Sequence, residues 1–167
     1  MNKKINTDNI TEMINADKKT NLHGSQKLIF ADITYKVRGA IFVVYNELGF
    51  GHKEQVYQKA LAEEFESTGI PYKREKNLDV KFKNSIVGNY RPDFVVNEKI
   101  VMEIKAVEFM PKNYETQLIN YLKTTDYYLG LLVNFGAPRL YIKRLVWTGN
   151  PRKSATNLRK SFNHDSR

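Results

Sequence analysis

The chain has 167 residues, no cysteine, three histidines and a formal charge of +9, which fits one domain long enough to bury a core. Disulfide frameworks and thiolate zinc sites are excluded, and His23, His52 and His164 are too scattered for a His-based metal cluster, so any metal must be held by oxygen. The charge invites a polyanionic partner, but it is concentrated at the ends: five Lys against Asp8, Glu12 and Asp17 in residues 1–28, and five Lys or Arg against Asp165 in residues 149–167. Basic ends serve solubility as readily as binding.

In chain order, residues 1–28 form a polar amino-terminal segment, expected to be flexible, with no apolar stretch of the signal-peptide kind. A domain is expected over residues 29–147. Ile29, Ile33, Val37, Ala40, Ile41, Val44 and Leu48 recur at helical spacing and predict a first helix ending at Gly49. After Gly49-Phe50-Gly51, Val56, Tyr57, Ala60, Leu61 and Phe65 predict a second helix, stopped by Gly69-Ile70-Pro71. Tyr72 to Phe82 reads as one strand, Lys83-Asn84-Ser85 as a turn and Ile86 to Val96 as a second strand. Asn97-Glu98 makes a tight hairpin into a third strand, Lys99 to Val107. Pro111 marks a break before a helix over Tyr114 to Thr124. Tyr127 to Phe135 reads as a buried strand and Leu140 to Trp147 as an edge strand. Residues 148–167 form a basic carboxyl-terminal tail, expected to be disordered. The order predicts an α/β fold, a mixed central sheet flanked by helices. The longest apolar run, Tyr127 to Phe135, is far short of a bilayer span, so the expected setting is soluble and cytoplasmic, away from membranes.

The strand around Ile100 to Val107 carries the chemistry. Ile100, Met102, Ile104 and Ala106 share one face, Val101, Glu103, Lys105 and Val107 the other. Both faces look covered, and a carboxylate and an ammonium in such a strand are costly unless paired or bound to an ion. Asp93 follows Arg91-Pro92, where a proline inside a strand marks an edge or bend, and a bend can aim Asp93 at Glu103 and Lys105. Two carboxylates beside an ammonium supply what phosphodiester hydrolysis needs: hard oxygen ligands for a divalent ion and a cation to steady the attacking water. Gln117 and Tyr121, four apart, leave one helix face together and are placed to grip phosphate oxygens or bases. Plainer accounts exist for each piece: a surface ion pair for Glu103 and Lys105, a turn residue for Asp93, a half-buried helix border for Gln117 and Tyr121.

Gly51-His52-Lys53-Glu54-Gln55-Val56-Tyr57 resembles the signature of the GxxExxY proteins, a branch of the PD-(D/E)XK nuclease superfamily. The resemblance continues in order through Gly88-Asn89-Tyr90-Arg91-Pro92-Asp93, Glu103-Ile104-Lys105-Ala106-Val107, Gln117 with Tyr121, and Leu131-Leu132-Val133-Asn134-Phe135-Gly136, and covers residues 30 to 147. The Gln117 and Tyr121 spacing also resembles the fourth motif of RecB-type exonucleases. The resemblance implies a restriction-endonuclease-like core and assigns roles: Glu54 as the helical acid, Asp93 and Glu103 as ligands of Mg²⁺ or Mn²⁺ with Glu54 and the Ile104 carbonyl completing the shell, Lys105 as the catalytic lysine, and Gln117 and Tyr121 positioning the strand. His52 is an extra loop residue near the site. No motif position is degenerate.

The expectation is therefore a metal-dependent nuclease acting on nucleic acid, with DNA favoured over RNA and a homo-oligomer left open. Two rivals stand beside it. One is a catalytically silent nuclease-fold module that binds nucleic acid or a partner protein. The other is a protein-interaction domain docking through Tyr114, Tyr121, Tyr127 and Tyr128, with no metal dependence.

Overall fold

The structure, a computed structural model, describes residues 30–148. The expectations for the amino-terminal segment and for all but the first residue of the carboxyl-terminal tail lie outside the described residues.

Two helices come first, α1 (Ala31–Leu48) and α2 (Glu54–Ser67). Their buried stripes, Val37, Ala40, Ile41 and Val44 on α1 and Tyr57, Leu61 and Phe65 on α2, repeat every three or four residues and cover one face of the sheet. Gly69, in the left-handed region at φ 65°, ends α2 and lets Ile70 N–H reach back to the Phe65 carbonyl at 2.8 Å.

Seven strands follow, β1 (Tyr72–Arg74), β2 (Leu78–Phe82), β3 (Ser85–Tyr90), β4 (Phe94–Val96), β5 (Ile100–Lys105), β6 (Leu129–Asn134) and β7 (Tyr141–Val146), with α3 (Lys112–Thr124) between β5 and β6. The main sheet runs β1-β4-β5-β6-β7, and β2 and β3 form a separate two-stranded ribbon. All neighbours in the main sheet are antiparallel except β5 and β6, which are parallel because α3 carries the chain across between them. The α/β architecture with a mixed central sheet is thus the one expected, and β7 lies at an edge.

Two expected strands prove to be four. Tyr72 to Phe82 divides into β1 and β2, and Ile86 to Val96 belongs to β3 and β4, with each half in a different sheet. The breaks have local causes. Glu75 sits at φ 48°, which an extended strand does not tolerate, and Pro92 has no N–H to give a ladder. The chain therefore leaves the main sheet after Arg74, runs out and back through the ribbon, and re-enters at Phe94. Asn97 and Glu98, at φ 50° and 51°, form the expected tight turn between β4 and β5.

β5 is sandwiched between two cores. Ile100, Met102 and Ile104 pack beneath α1 and α2, while Val101 packs with Leu118, Leu122, Leu132, Leu78 and Tyr90 beneath α3 and the ribbon. Each such fully buried aliphatic side chain contributes about 1.5–3 kcal/mol. Only at Glu103 and Lys105 does the second face turn polar.

Candidate active site

The Gly51 to Tyr57 segment places the first acid. Tyr57 is fully buried and stacks on Phe135, ring centres 4.5 Å apart. Its hydroxyl donates to the Gly49 carbonyl at 3.0 Å and accepts the His52 N–H at 3.1 Å. The tyrosine thereby fastens the glycine-flanked loop and fixes where α2 starts, with Glu54 as its first residue. His52 is a loop residue as expected, but its ring Nε2 lies 3.2 Å from the Leu48 carbonyl, at the end of α1, and it does not line the cleft described below.

Asp93 stands in the bend where the ribbon returns to the sheet. Its Oδ2 accepts the Ile104 N–H at 2.6 Å, so the carboxylate is tied to the middle of β5. A residue's N–H and carbonyl leave a strand on the same edge. The Ile104 carbonyl therefore faces the β4 side ahead of Phe94, the first residue of β4, where the β4–β5 ladder no longer reaches. The other carboxylate oxygen of Asp93, Oδ1, accepts from Gln58 Nε2 at 2.8 Å, and the same amide nitrogen is 3.4 Å from Glu54 Oε1. Gln58 thus joins the helical acid to the strand acid.

Glu103 and Lys105 leave the same face of β5, and Lys105 Nζ lies 3.2 Å from Glu103 Oε2. Their side chains are 17% and 16% exposed, which rules out an ordinary surface pair. The other Glu103 oxygen accepts the Tyr90 hydroxyl at 2.5 Å. Tyr90 in turn stacks flat on Tyr121, centroids 3.6 Å apart, and the Lys105 ammonium lies 5.4 Å from the Tyr114 ring centre. Asn89, Tyr90, Arg91, Glu103, Lys105, Tyr114, Gln117 and Tyr121 wall a cleft of about 300 Å³ floored by Leu118 and Leu132. Gln117 is exposed on its rim.

The electrostatics are those of anions held away from water. Burial, and after it the neighbouring Asp93, raises the Glu103 carboxyl above its usual range. Burial likewise raises Asp93 against the Ile104 N–H that favours its charge, and raises Glu54 against the pull of Lys105. For Lys105, burial works to lower the ammonium, but Glu103, Glu54 and Asp93 outweigh it and the group is raised. Lys105 is therefore a fixed positive charge at neutral pH. Burial and the Glu103 charge likewise push the Tyr90 hydroxyl up, so that it stays a hydrogen-bond donor.

As the side chains lie, no three His, Cys, Asp or Glu residues among the described residues are gathered so as to hold a metal ion. Asp93 and Glu103 have their oxygens engaged by Gln58, Ile104, Tyr90 and Lys105. The donor chemistry still fits a hard divalent cation: carboxyl groups whose pKa values burial and mutual repulsion raise, a backbone carbonyl beyond the β4–β5 ladder beside them, and no cysteine in the chain.

Of the residues singled out from sequence, Asp93, Glu103, Lys105 and the Ile104 backbone converge directly. Glu54 reaches them through Gln58, and Gln117 and Tyr121 line the cleft. Sequence reasoning missed Gln58 and Tyr90. Gln58 carried a readable signal, since it lies one helical turn after Glu54 and shares its face. Beyond the site, Asn134 Oδ1 accepts the N–H groups of Val107 and Gly136, and its amide donates to the Val107 carbonyl. A side chain at Gly136 would fall 2.2 Å from Val107 N, so glycine lets β6 close against the end of β5.

Comparison with known proteins bears on this geometry. No curated protein matches the chain. Four solved chains match; one, titled "Crystal structure of SSO0001", is 12% identical with a TM-score of 0.44, covering 97% of this chain and 87% of that one. A family model of the PD-(D/E)XK nuclease superfamily matches residues 31–145. That span runs from the first residue of α1 almost to the end of β7 and takes in every side chain of the cleft, and on this match the chain belongs to the PD-(D/E)XK nuclease superfamily.

Proposed function

We propose that this protein is a divalent-metal-dependent nuclease of the GxxExxY branch that hydrolyses phosphodiester bonds, in DNA before RNA. The observation that carries the reading is the meeting of Asp93, Glu103 and Lys105 on one shielded patch where β4 begins and β5 ends, beside a cleft walled by tyrosines and amides. Asp93, Glu103 and the Ile104 carbonyl would hold Mg²⁺ or Mn²⁺, with Glu54 contributing from α2. Bound there, the ion would supply a Lewis acid for the scissile phosphate and a more acidic water. Lys105, kept charged by its carboxylate neighbours, orients the attacking water and balances charge on the phosphate. Tyr90 holds Glu103 in one rotamer through its hydroxyl, and its stacking on Tyr121 fixes the cleft wall. Gln117, on the rim, and Tyr121 position the strand. The domain proposed to do this is residues 29–147, in a soluble, cytoplasmic protein; among the described residues no helix is long and apolar enough to cross a membrane.

The test pairs ion binding with cleavage. Calorimetry should show Mn²⁺ binding to the wild type and its loss in Asp93→Ala. Linear and circular, single- and double-stranded DNA and RNA, with Mg²⁺, Mn²⁺ or EDTA, should reveal cutting only with the ion. Undiminished Mn²⁺ binding by Asp93→Ala would remove Asp93 from the ligand set, and no cutting of any substrate would hand the fold to the silent binding-module reading.

A further inference from the structure

Gln58 lies on the second turn of α2, and its side chain spans from the helical layer to the sheet. Its amide nitrogen meets two carboxylates, Asp93 Oδ1 at 2.8 Å and Glu54 Oε1 at 3.4 Å. Because both partners are acceptors, the amide must present its N–H groups and not its oxygen. An –NH₂ group between two acids from different layers stands where their charges call for a cation. Without it the carboxylates of Glu54 and Asp93 would repel each other in a partly dehydrated site, with Lys105 and the Ile104 N–H offsetting their charge only in part.

We propose that Gln58 is a positioning residue that closes the ion-free site: its amide donates to Asp93 and Glu54 in place of a divalent ion and must withdraw when the ion binds, so that it sets the site's ion affinity. This rests on the metal-dependent reading above. Hydrogen bonds to charged acceptors are worth more than neutral ones, and the ion has to break them before it gains its ligands. The amide therefore weakens ion binding while holding the empty site together. Withdrawal needs only side-chain rotation, since Gln58 is half-buried on a helix whose backbone is fixed by Tyr57 and Leu61 beneath it.

The inference has a two-sided test on the full chain. Wild type, Gln58→Met and Gln58→Glu are titrated with Mn²⁺ by calorimetry at neutral pH, and their thermal unfolding is followed in EDTA and in saturating Mn²⁺. Methionine keeps the length and helix preference of glutamine without its donors. Gln58→Met should bind Mn²⁺ about tenfold more tightly, the equivalent of one charge-assisted hydrogen bond no longer broken. It should also melt below wild type in EDTA, with that deficit erased by Mn²⁺. Gln58→Glu, which adds a fourth carboxylate to Glu54, Asp93 and Glu103, should move further in both directions. A residue that merely packs would lower the melting temperature equally with and without the ion. Weaker Mn²⁺ binding by Gln58→Met would make the amide oxygen a ligand and overturn the inference, as would unchanged affinity or an unchanged melting temperature in EDTA. If the wild type binds Mn²⁺ and Gln58→Met binds it identically, this inference alone falls. If the wild type binds none, the metal-dependent reading falls with it.

Discussion

The Lys105–Glu103 pair in the cleft and the Lys73–Glu98–Lys76 cluster at the β4–β5 turn are built from the same two residue types, yet their glutamates are shifted in opposite directions. The surface cluster has the closer contacts, with Glu98 2.6 Å from Lys73 and 2.5 Å from Lys76, against 3.2 Å for Lys105 and Glu103. Glu98, 52% exposed, is drawn down to about 2 by its hydrogen bonds to Lys73 and then Lys76. Glu103, 17% exposed, is raised, because burial and then Asp93 outweigh its bonds to Tyr90 and Lys105. The contrast separates distance from cost. A short pair in water satisfies both charges cheaply, whereas the shielded site beside the cleft keeps Glu54, Asp93, Glu103 and Lys105 in a state that disfavours the anions. The first arrangement holds a turn; the second stores an unmet demand for positive charge.

The largest break in this comparison should come from deleting each lysine. Lys105→Ala should lower the rate of metal-dependent cleavage on the order of 10²-fold or more, the usual cost of a preorganised catalytic charge. Lys105→Arg should restore little, since the broader guanidinium is not the same compact charge. Lys73→Ala, which loses a pair of better geometry, should cleave like wild type. Near-normal cleavage by Lys105→Ala, on a substrate that wild type cuts, would end the nuclease assignment of β5.

Stability against pH sharpens the contrast at intermediate size. Glu54, Asp93 and Glu103 have folded-state values above their unfolded ones, so the folded chain takes up their protons first. Their contribution favours folding at low pH and is lost as pH rises through the folded values. In EDTA, thermal stability should therefore rise as pH is lowered from neutrality towards the unfolded carboxylate range. Saturating Mn²⁺ should remove that rise, because the ion binds the deprotonated groups. A wild-type protein whose melting temperature responds identically in EDTA and Mn²⁺ would show that these carboxylates are not the ion's ligands.

The smallest effect belongs to Glu98. Its folded value is depressed, so its contribution is present above the unfolded value and disappears as pH falls towards about 2. Solvent screening limits it: Glu98→Gln should cost less than about 1 kcal/mol at neutral pH, read from urea unfolding. It should leave the pH slope assigned to the cleft untouched. A larger loss would mean that the turn depends on its ion pairs more than its exposure allows.

These differences also mark what the sequence made legible. The helices, the Asn97-Glu98 turn, the parallel β5–β6 pair's buried strands and the shared face of Glu103 and Lys105 follow from periods of 3.6 and 2 that neighbouring residues display directly. The division of Tyr72 to Phe82 and of Ile86 to Val96 between two sheets does not. Strand periodicity reports that a residue is extended, not which strand it pairs with, and pairing is decided by contacts distant in sequence. Asp93 was legible because Pro92 announced the bend. Tyr90 was not, since a tyrosine in a strand reads as core until a buried carboxylate is found against its hydroxyl. Gln58 was overlooked because an amide on an amphipathic helix looks like solvent-facing filler until its partner, 35 positions later in the chain, is known.

β5 lies open on its β6 side until residues 129–134 have been synthesised and α3 has folded across. Ile100-Val101-Met102 followed by Ile104 is a short, β-prone, apolar run of the kind that templates intermolecular sheets. Glu103 and Lys105 interrupt it with opposite charges on one face. The same two side chains proposed to cut nucleic acid are therefore the only charges that interrupt this strand. Replacing both with neutral residues should move the protein into the insoluble fraction during expression, so rates of single variants are to be compared per mole of monomeric, folded protein.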